Sequence, residues 1–144
     1  MYDANTPISA VMTPDPHCVR SGDSLAMVRS RLNELGVRHM PVTAGTRVVG
    51  MISARDLVTL SLLDDADFAK LKVNLVMAHD LYQVRPDAPL RDVVLEMGER
   101  HIGSALVTDK QGKLLGIFTA SDAVRTLGRL LMRAVPGPSA ATRN

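Results

Sequence analysis

The second half of this 144-residue chain repeats the first. Met12, Val19, Leu25, Val28, Glu34, Val42 and Thr43 recur 65 positions later as Met77, Val84, Leu90, Val93, Glu99, Val107 and Thr108. One extra residue in a turn of the second copy moves the spacing to 66, after which Gly50, Ala54 and Asp56 recur as Gly116, Ala120 and Asp122, with Thr119 in the place of Ser53. A register that runs from Met12 to Asp56 with a single slip marks a tandem duplication. This constrains the fold strongly. A unit of roughly 60 residues buries too little apolar surface to be comfortable alone, so the two copies are expected to share a core.

Each copy reads alike. Ser24 is an N-cap, Leu25, Val28, Leu32 and Leu35 lie on one helical face, and Gly36 ends the helix. In the second copy Leu90, Val93, Val94 and Met97 form that face, and Pro89 suits the first turn. Two strands follow, His39 to Thr43 and Arg47 to Ile52, matched by Ser104 to Thr108 and Lys113 to Phe118. A second helix opens at Ser53 and at Thr119. The expected fold is α/β: two strand-helix-strand-strand-helix repeats packed as a pseudo-two-fold pair. Repeat 1 is placed at residues 7–63, a solvated helical linker at 64–72, repeat 2 at 73–134, and a disordered tail at 135–144, where two prolines interrupt small and polar residues.

Composition excludes several function classes. Aromatic residues make up 3% of the chain, too few for a base-stacking platform. The single cysteine, Cys18, allows no internal disulfide and points to a reducing compartment. No uncharged apolar run approaches the roughly 20 residues of a membrane span, and no secretory leader is visible, so the expectation is a cytoplasmic protein without a membrane partner. The net charge is +2, and residues 1–72 carry eight basic and eight acidic side chains. The surplus lies in the C-terminal helix, where Arg125, Arg129 and Arg133 step by four opposite Ala123, Leu127, Leu130, Leu131 and Ala134. That stripe reads as a solvated face that complements the helix dipole, with an anionic partner as the alternative.

The sharpest motif is Gly50-Met51-Ile52-Ser53-Ala54-Arg55-Asp56, repeated as Gly116-Ile117-Phe118-Thr119-Ala120-Ser121-Asp122. A hydroxyl at the helix start followed three residues later by an acid is a capping box. The same geometry suits a ligand. A helix N-terminus and a hydroxyl attract phosphate, and a carboxylate one turn in can take two vicinal ribose hydroxyls. The two readings are compatible, since the acid can serve either partner.

Together with Val11-Met12-Thr13-Pro14, Gly36-Val37-Arg38-His39-Met40-Pro41-Val42 and His101-Ile102-Gly103-Ser104-Ala105-Leu106-Val107, these segments resemble a tandem CBS-domain pair over about residues 7–130. The resemblance implies a regulatory, non-enzymatic protein. It implies an adenosine ligand in the cleft between repeats, AMP, ADP or ATP first and S-adenosylmethionine or NAD as other members of the class, with no cofactor required. Mapped onto this chain, ribose falls to Asp56 and Asp122 and phosphate to Ser53 and Thr119. The walls fall to Thr13, Val37, Arg38, Met40 and Pro41 in one copy and to Ile102, Ala105 and Leu106 in the other. The family also implies a homodimer that signals to an effector protein not identifiable from the sequence. The copies differ at Thr13-Pro14 against Ala78-His79 and at Arg38-His39 against Gly103-Ser104, so their pockets are not equivalent.

Three rival functions are a structural dimerisation module with vestigial pockets, a nucleic-acid-binding accessory protein, and an enzyme, for which the sequence offers no nucleophile–base pair, metal spacing or cofactor-anchoring lysine. The paired Asp motif argues against the first, and the balanced first half and the scarcity of aromatics against the second. His17, His39, His79 and His101 show no metal-ligand spacing, although His39 and His101 lie near the expected cleft. Cys18 has no neighbouring base and reads as a small, partly buried residue.

Overall fold

In repeat 1 a 3-10 turn (Ile8–Ala10) precedes β1 (Thr13–Pro14), β2 (Val19–Arg20), α1 (Leu25–Leu35), β3 (His39–Ala44), β4 (Arg47–Ser53) and α2 (Ala54–Leu60). Helix α3 (Asp65–Lys70) joins it to repeat 2, which has a 3-10 turn (Val73–Leu75), β5 (Gln83–Val84), α4 (Leu90–Glu99), β6 (Ser104–Thr108), β7 (Leu114–Thr119) and α5 (Ala120–Ala134). The computed structural model describes residues 2–135. Apart from Val135, the expected tail lies outside the described residues. No helix among them is long and apolar enough to cross a membrane.

Local chemistry sets the helix ends. Ser24 Oγ accepts the Met27 N–H at 3.3 Å, and Gly36 closes α1 in the left-handed conformation at φ 62°. That conformation costs glycine nothing. His101 holds the equivalent place after α4 at φ 53°, where a side chain is tolerated less readily. On α1 the buried residues are Leu25, Val28 and Leu32, and on α4 they are Leu90, Val93 and Met97. Val94, expected on the inner face of α4, is instead 38% exposed, because Leu90, Met97 and Val93 form the inner arc and Val94 lies at its edge.

Within each repeat the two long strands pair antiparallel, β3 with β4 and β6 with β7, and a short strand joins in parallel, β2 on β3 and β5 on β6. Repeat 1 has a core of Leu25, Val28, Met40, Val42, Ile52 and neighbours; repeat 2 has Ile8, Leu90, Val93, Ala105, Val107 and Phe118. The join is not merely a solvated helix. Phe68 of α3 is 2% exposed in the core of repeat 1, with the Arg29 guanidinium 4.6 Å from its ring centroid. The alanines and the charged residues of α3 face water, and Phe68 alone is buried.

The opening segment of each repeat crosses to the other repeat's sheet. Strand β1 pairs antiparallel with β7, Thr13 opposite Ile117, and Ala78 forms the matching bridge with Met51 of β4. Methionines anchor both crossings: Met12 lies over Gly116, and Met77 over Gly50. A Cβ at either glycine would lie 2.3 Å from the methionine sulfur, well inside van der Waals contact, so the methionine would have to shift to admit it. Gly50→Ala and Gly116→Ala should each destabilise the fold by about 1–3 kcal/mol, as overpacking does. Urea denaturation reads this as a lower midpoint with an unchanged slope, and a midpoint equal to wild type would show that the methionines shift freely.

Candidate functional site

At the seam between repeats lies a cavity of about 730 Å³. Repeat 1 lines it with the crossing segment Thr13–His17 and the α1–β3 corner, including Val37, Arg38, His39 and Pro41. Repeat 2 contributes Ile117 from β7 and Thr119 to Asp122 and Arg125 from the start of α5. The site exists because β1 crosses: pairing Thr13 with Ile117 brings the two copies' residues to one wall. A volume in the range of roughly 300–1,000 Å³ suits a nucleotide-sized ligand.

Asp122 is the best-organised group in this wall. Its residue is 8% exposed, and its carboxylate is held by three donors. Oδ2 accepts the Thr119 N–H at 2.9 Å and the Thr119 hydroxyl at 3.0 Å, and Oδ1 accepts Arg125 Nη1 at 3.0 Å. Thr119 Oγ1 in turn accepts the Asp122 N–H at 3.2 Å, which completes the capping box. The Ala120 N–H donates to Gly103 O at 2.9 Å, fixing the first turn of α5 to the corner before β6. A buried carboxylate is costly unless paired, and here backbone, hydroxyl and guanidinium share that task. An ionised carboxylate has about four acceptor positions, so it retains capacity for a further donor on the cavity side.

The equivalent place in repeat 1 is built alike but surrounded differently. The Ser53 N–H donates to Asp56 Oδ2 at 3.1 Å, and the Asp56 N–H donates to Ser53 Oγ at 3.1 Å. Thr59 stands where Arg125 stands in repeat 2, and its hydroxyl turns to Arg55 O. Leu106, the counterpart of Pro41, is 1% exposed in a small cluster with Val48 and Ile117, with Leu81 and Met51 packed on it.

The structure therefore brings together Thr13, Val37, Arg38, Pro41, Thr119 and Asp122, and leaves the other expected residues apart from them. Met40 and Ala105 cannot serve as ligand walls: both are 0% exposed in the separate cores of repeats 1 and 2. Side chains alternate along a strand, so if Pro41 of β3 faces the cavity, Met40 faces the helices. Leu106 is covered as described, and Ile102 packs against the repeat 2 core. Ser53 and Asp56 cap α2 at the pseudo-symmetric position. Of the histidines, His39 and His17 line the cavity, while His101 does not. Arg125, read from the sequence as part of a solvated stripe, turns into the wall to pair with Asp122; their i,i+3 spacing was the available signal. Asp15, Pro16, His17 and Ser121 gave no local signal, since a strand crossing between repeats leaves no periodicity. Among the described residues no three metal-ligating side chains converge.

Fold and cavity define a class: paired α/β repeats with a ligand-sized cleft at their seam. The family model of the CBS domain matches the chain twice, over residues 8–62 and 72–129, and the chain belongs to that family. Its fold is closely similar to that of the Vibrio cholerae protein AcuB, with a TM-score of 0.79 and 28% identity over 92% of this chain and 98% of that one. It is similar also to CBSX2, solved in complex with AMP, with a TM-score of 0.77 and 26% identity over 87% of this chain and 98% of that one. Among curated relatives, the uncharacterized protein MJ1232 of Methanocaldococcus jannaschii is 25% identical over 120 residues, which is 83% of this chain and 37% of that protein. Homoserine O-acetyltransferase of Methanococcoides burtonii is 29% identical over 126 residues, 86% of this chain and 25% of that enzyme. The chain thus spans less than half the length of these relatives.

The capping boxes have a measurable weight of their own. Ser53→Ala and Thr119→Ala should each cost about 0.5–2 kcal/mol of stability. Thr119→Ala should cost more than Ser53→Ala, because it also removes a donor to the buried Asp122 carboxylate; thermal melts showing the reverse order would contradict the bonding described above.

Proposed function

We propose that this protein is a regulatory CBS pair that binds an adenine nucleotide, AMP, ADP or ATP, in the cleft between its repeats and passes the bound state to a partner protein. The observation that carries the reading is the Asp122 carboxylate, held by Thr119 and Arg125 in the wall of a cavity of about 730 Å³ built from both repeats. Asp122 takes the ribose hydroxyls. Thr119 and the positive end of α5 face the phosphate, helped by the cations of Arg38 and Arg125. Val37 and Pro41 flank the base. These cations favour an anionic nucleotide over the sulfonium of S-adenosylmethionine. The AMP complex of CBSX2, a relative of the same fold, supports the ligand class. Nothing at the cleft requires bond-making chemistry; binding alone biases how the two repeats sit, and that bias is the signal.

Calorimetry with AMP, ADP and ATP tests this directly. Wild-type protein should bind at least one of them with a micromolar-to-millimolar Kd. Asp122→Asn should weaken binding roughly ten- to a hundred-fold, the loss of a charge-assisted bond, and should also lower stability by about 1–3 kcal/mol, because one amide oxygen cannot accept from both Thr119 and Arg125. Asp56→Asn, on the far side of the pseudo-dyad, should leave that binding event unchanged. No heat at millimolar nucleotide, or a stability loss with undiminished affinity in Asp122→Asn, would defeat the proposal.

The same reading makes the protein a homodimer. Val58 and Leu62 at the end of α2, and Val124, Leu127 and Leu131 along α5, are all more than half exposed. Such stripes are costly in water and suit a two-fold contact between copies. Light scattering should give twice the 15.5 kDa chain mass. Leu127→Glu combined with Leu131→Glu should halve it, and a monomeric wild type at micromolar concentration would remove the dimer from the proposal.

A further inference from the structure

A second cavity, of about 460 Å³, lies at the opposite end of the sheets from the nucleotide cleft. The cleft lies at the His39 and Thr119 ends of β3 and β7; this cavity lies at the hairpin turns, where β3 passes to β4 and β6 to β7. A five-residue strand separates them, roughly 17 Å at the usual rise per residue. Its lining includes Arg47, Arg85 and Lys110, with Gln83, Thr108 and Asp109 between them. Asp109 carries a negative charge in this lining but makes no ion pair with these cations among the described residues. Its Oδ1 accepts the Gln111 N–H at 2.9 Å and the Lys113 N–H at 3.0 Å, which orients the carboxylate toward its own turn and leaves a net excess of two positive charges among Arg47, Arg85, Lys110 and Asp109.

Two features of this region run against what stability alone favours. Arg47 and Lys113 stand directly opposite each other in an antiparallel bridge that joins the two repeats, closed by Val48 N–H to Gly112 O and Leu114 N–H to Thr46 O, each at 3.3 Å. Like charges opposed across a ladder repel. Yet among the described residues none of Arg47, Arg85, Lys110 or Lys113 makes an ion pair. The second feature is the single extra residue that breaks the register of the duplication. It falls in the Asp109–Gly112 turn, the segment that brings Lys110 to the cavity. At Gly112, with φ 82°, a Cβ would come within 3.3 Å of Arg47 Nε, so glycine lets the guanidinium lie close along the turn. Local rules broken without a folding gain are the mark of a functional site.

We infer that this hairpin-end cavity is a second binding site, for a compact polyanion carrying two or more phosphoryl groups. Arg47 and Arg85 offer planar forks matched to phosphoryl oxygens, and Lys110 adds a point charge. The concavity is of small-molecule size. Occupancy would relieve the Arg47–Lys113 repulsion, tying the ligand to the bridge that joins the repeats. The site shares no lining residue with the nucleotide cleft and does not depend on that cleft being used.

Pyrophosphate is the probe, titrated by calorimetry into the full chain at low and at physiological salt. Wild type should bind, and more weakly as salt rises. Arg47→Gln, Arg85→Gln and Lys110→Gln should each reduce affinity about ten-fold or more, with melting temperatures near wild type because all three side chains are exposed at the surface. Arg85→Lys should retain part of the affinity. Arg125→Gln, which removes a cation from the nucleotide cleft, should leave pyrophosphate binding unchanged, and Arg85→Gln should leave AMP binding unchanged. The inference is overturned by no binding at millimolar pyrophosphate, by undiminished affinity in the Arg47→Gln and Arg85→Gln variants, or by a loss in Arg125→Gln, which would place the anion in the nucleotide cleft. A protein that binds pyrophosphate but no nucleotide would sink the sensor reading and leave this one standing.

Discussion

The seating of two methionines on two glycines is the constraint on which the rest of the architecture depends. Met12 of repeat 1 occupies the space above Gly116 of repeat 2, and Met77 of repeat 2 the space above Gly50 of repeat 1. Each contact holds an opening segment against the foreign sheet, and neither repeat is complete without the other. Ile8, from the start of the chain, is 0% exposed in the core of repeat 2, and Val73 and Met77 are buried in that of repeat 1. The duplication therefore does not yield two small domains side by side. It yields one domain whose cores are exchanged at their edges, and this reciprocity supplies the burial that a single copy lacks. Methionine suits the role, being unbranched and able to follow an irregular gap.

The crossing also decides where chemistry can occur. A cleft lined by one repeat would respond only to that repeat. The one described here takes Thr13 and Arg38 from repeat 1 and Thr119 and Asp122 from repeat 2, so whatever fills it reports on the seam. Asp122 is a structural device placed where the proposed function needs a binding group. The capping box fixes the carboxylate to within a rotamer, Arg125 satisfies its second oxygen, and the remaining acceptor capacity faces the cavity. On the proposed function, capping and recognition would be parts of one arrangement: an acid held rigidly to cap would already be held rigidly for a ligand, with the ordering cost of the side chain met on folding.

Much of this was legible in the sequence, because the signals concerned are local and doubled. The helix faces of Leu25, Val28 and Leu32 and of Leu90, Val93 and Met97, the paired strands, and the Ser/Thr-x-x-Asp helix starts all follow from short-range patterns that appear twice. What was misread depended on which face of a strand is which. Met40 and Pro41 are neighbours in sequence and look equally apolar, yet one is core and the other cleft. Alternation fixes that they differ without fixing which points where, and the crossing strand β1, only two residues long, settles it. The same limit explains His17 and Asp15, which reach the cleft on that segment, and Phe68, a lone aromatic among acids that no periodicity assigns to a core.

The two copies have diverged in a manner that uses their symmetry. One pseudo-equivalent position has Pro41 and Arg38 on the wall of the cavity; the other has Leu106, 1% exposed, packed with Val48, Ile117 and Leu81. If the cleft binds a ligand as proposed, a leucine buried at the pseudo-equivalent position supplies permanent stability where a ligand would supply it only conditionally. Burying a leucine is worth about 1.5–3 kcal/mol regardless of conditions, whereas a ligand at a hundred times its Kd adds about 2.7 kcal/mol only while present. These magnitudes are comparable. A pair with both clefts filled by side chains would be stable and unresponsive; one with both left open would lean on ligand for its integrity. On the proposed function, the buried Leu106 would hold the seam at all times, while a ligand beside Asp122 would add a contribution of similar size to bias it.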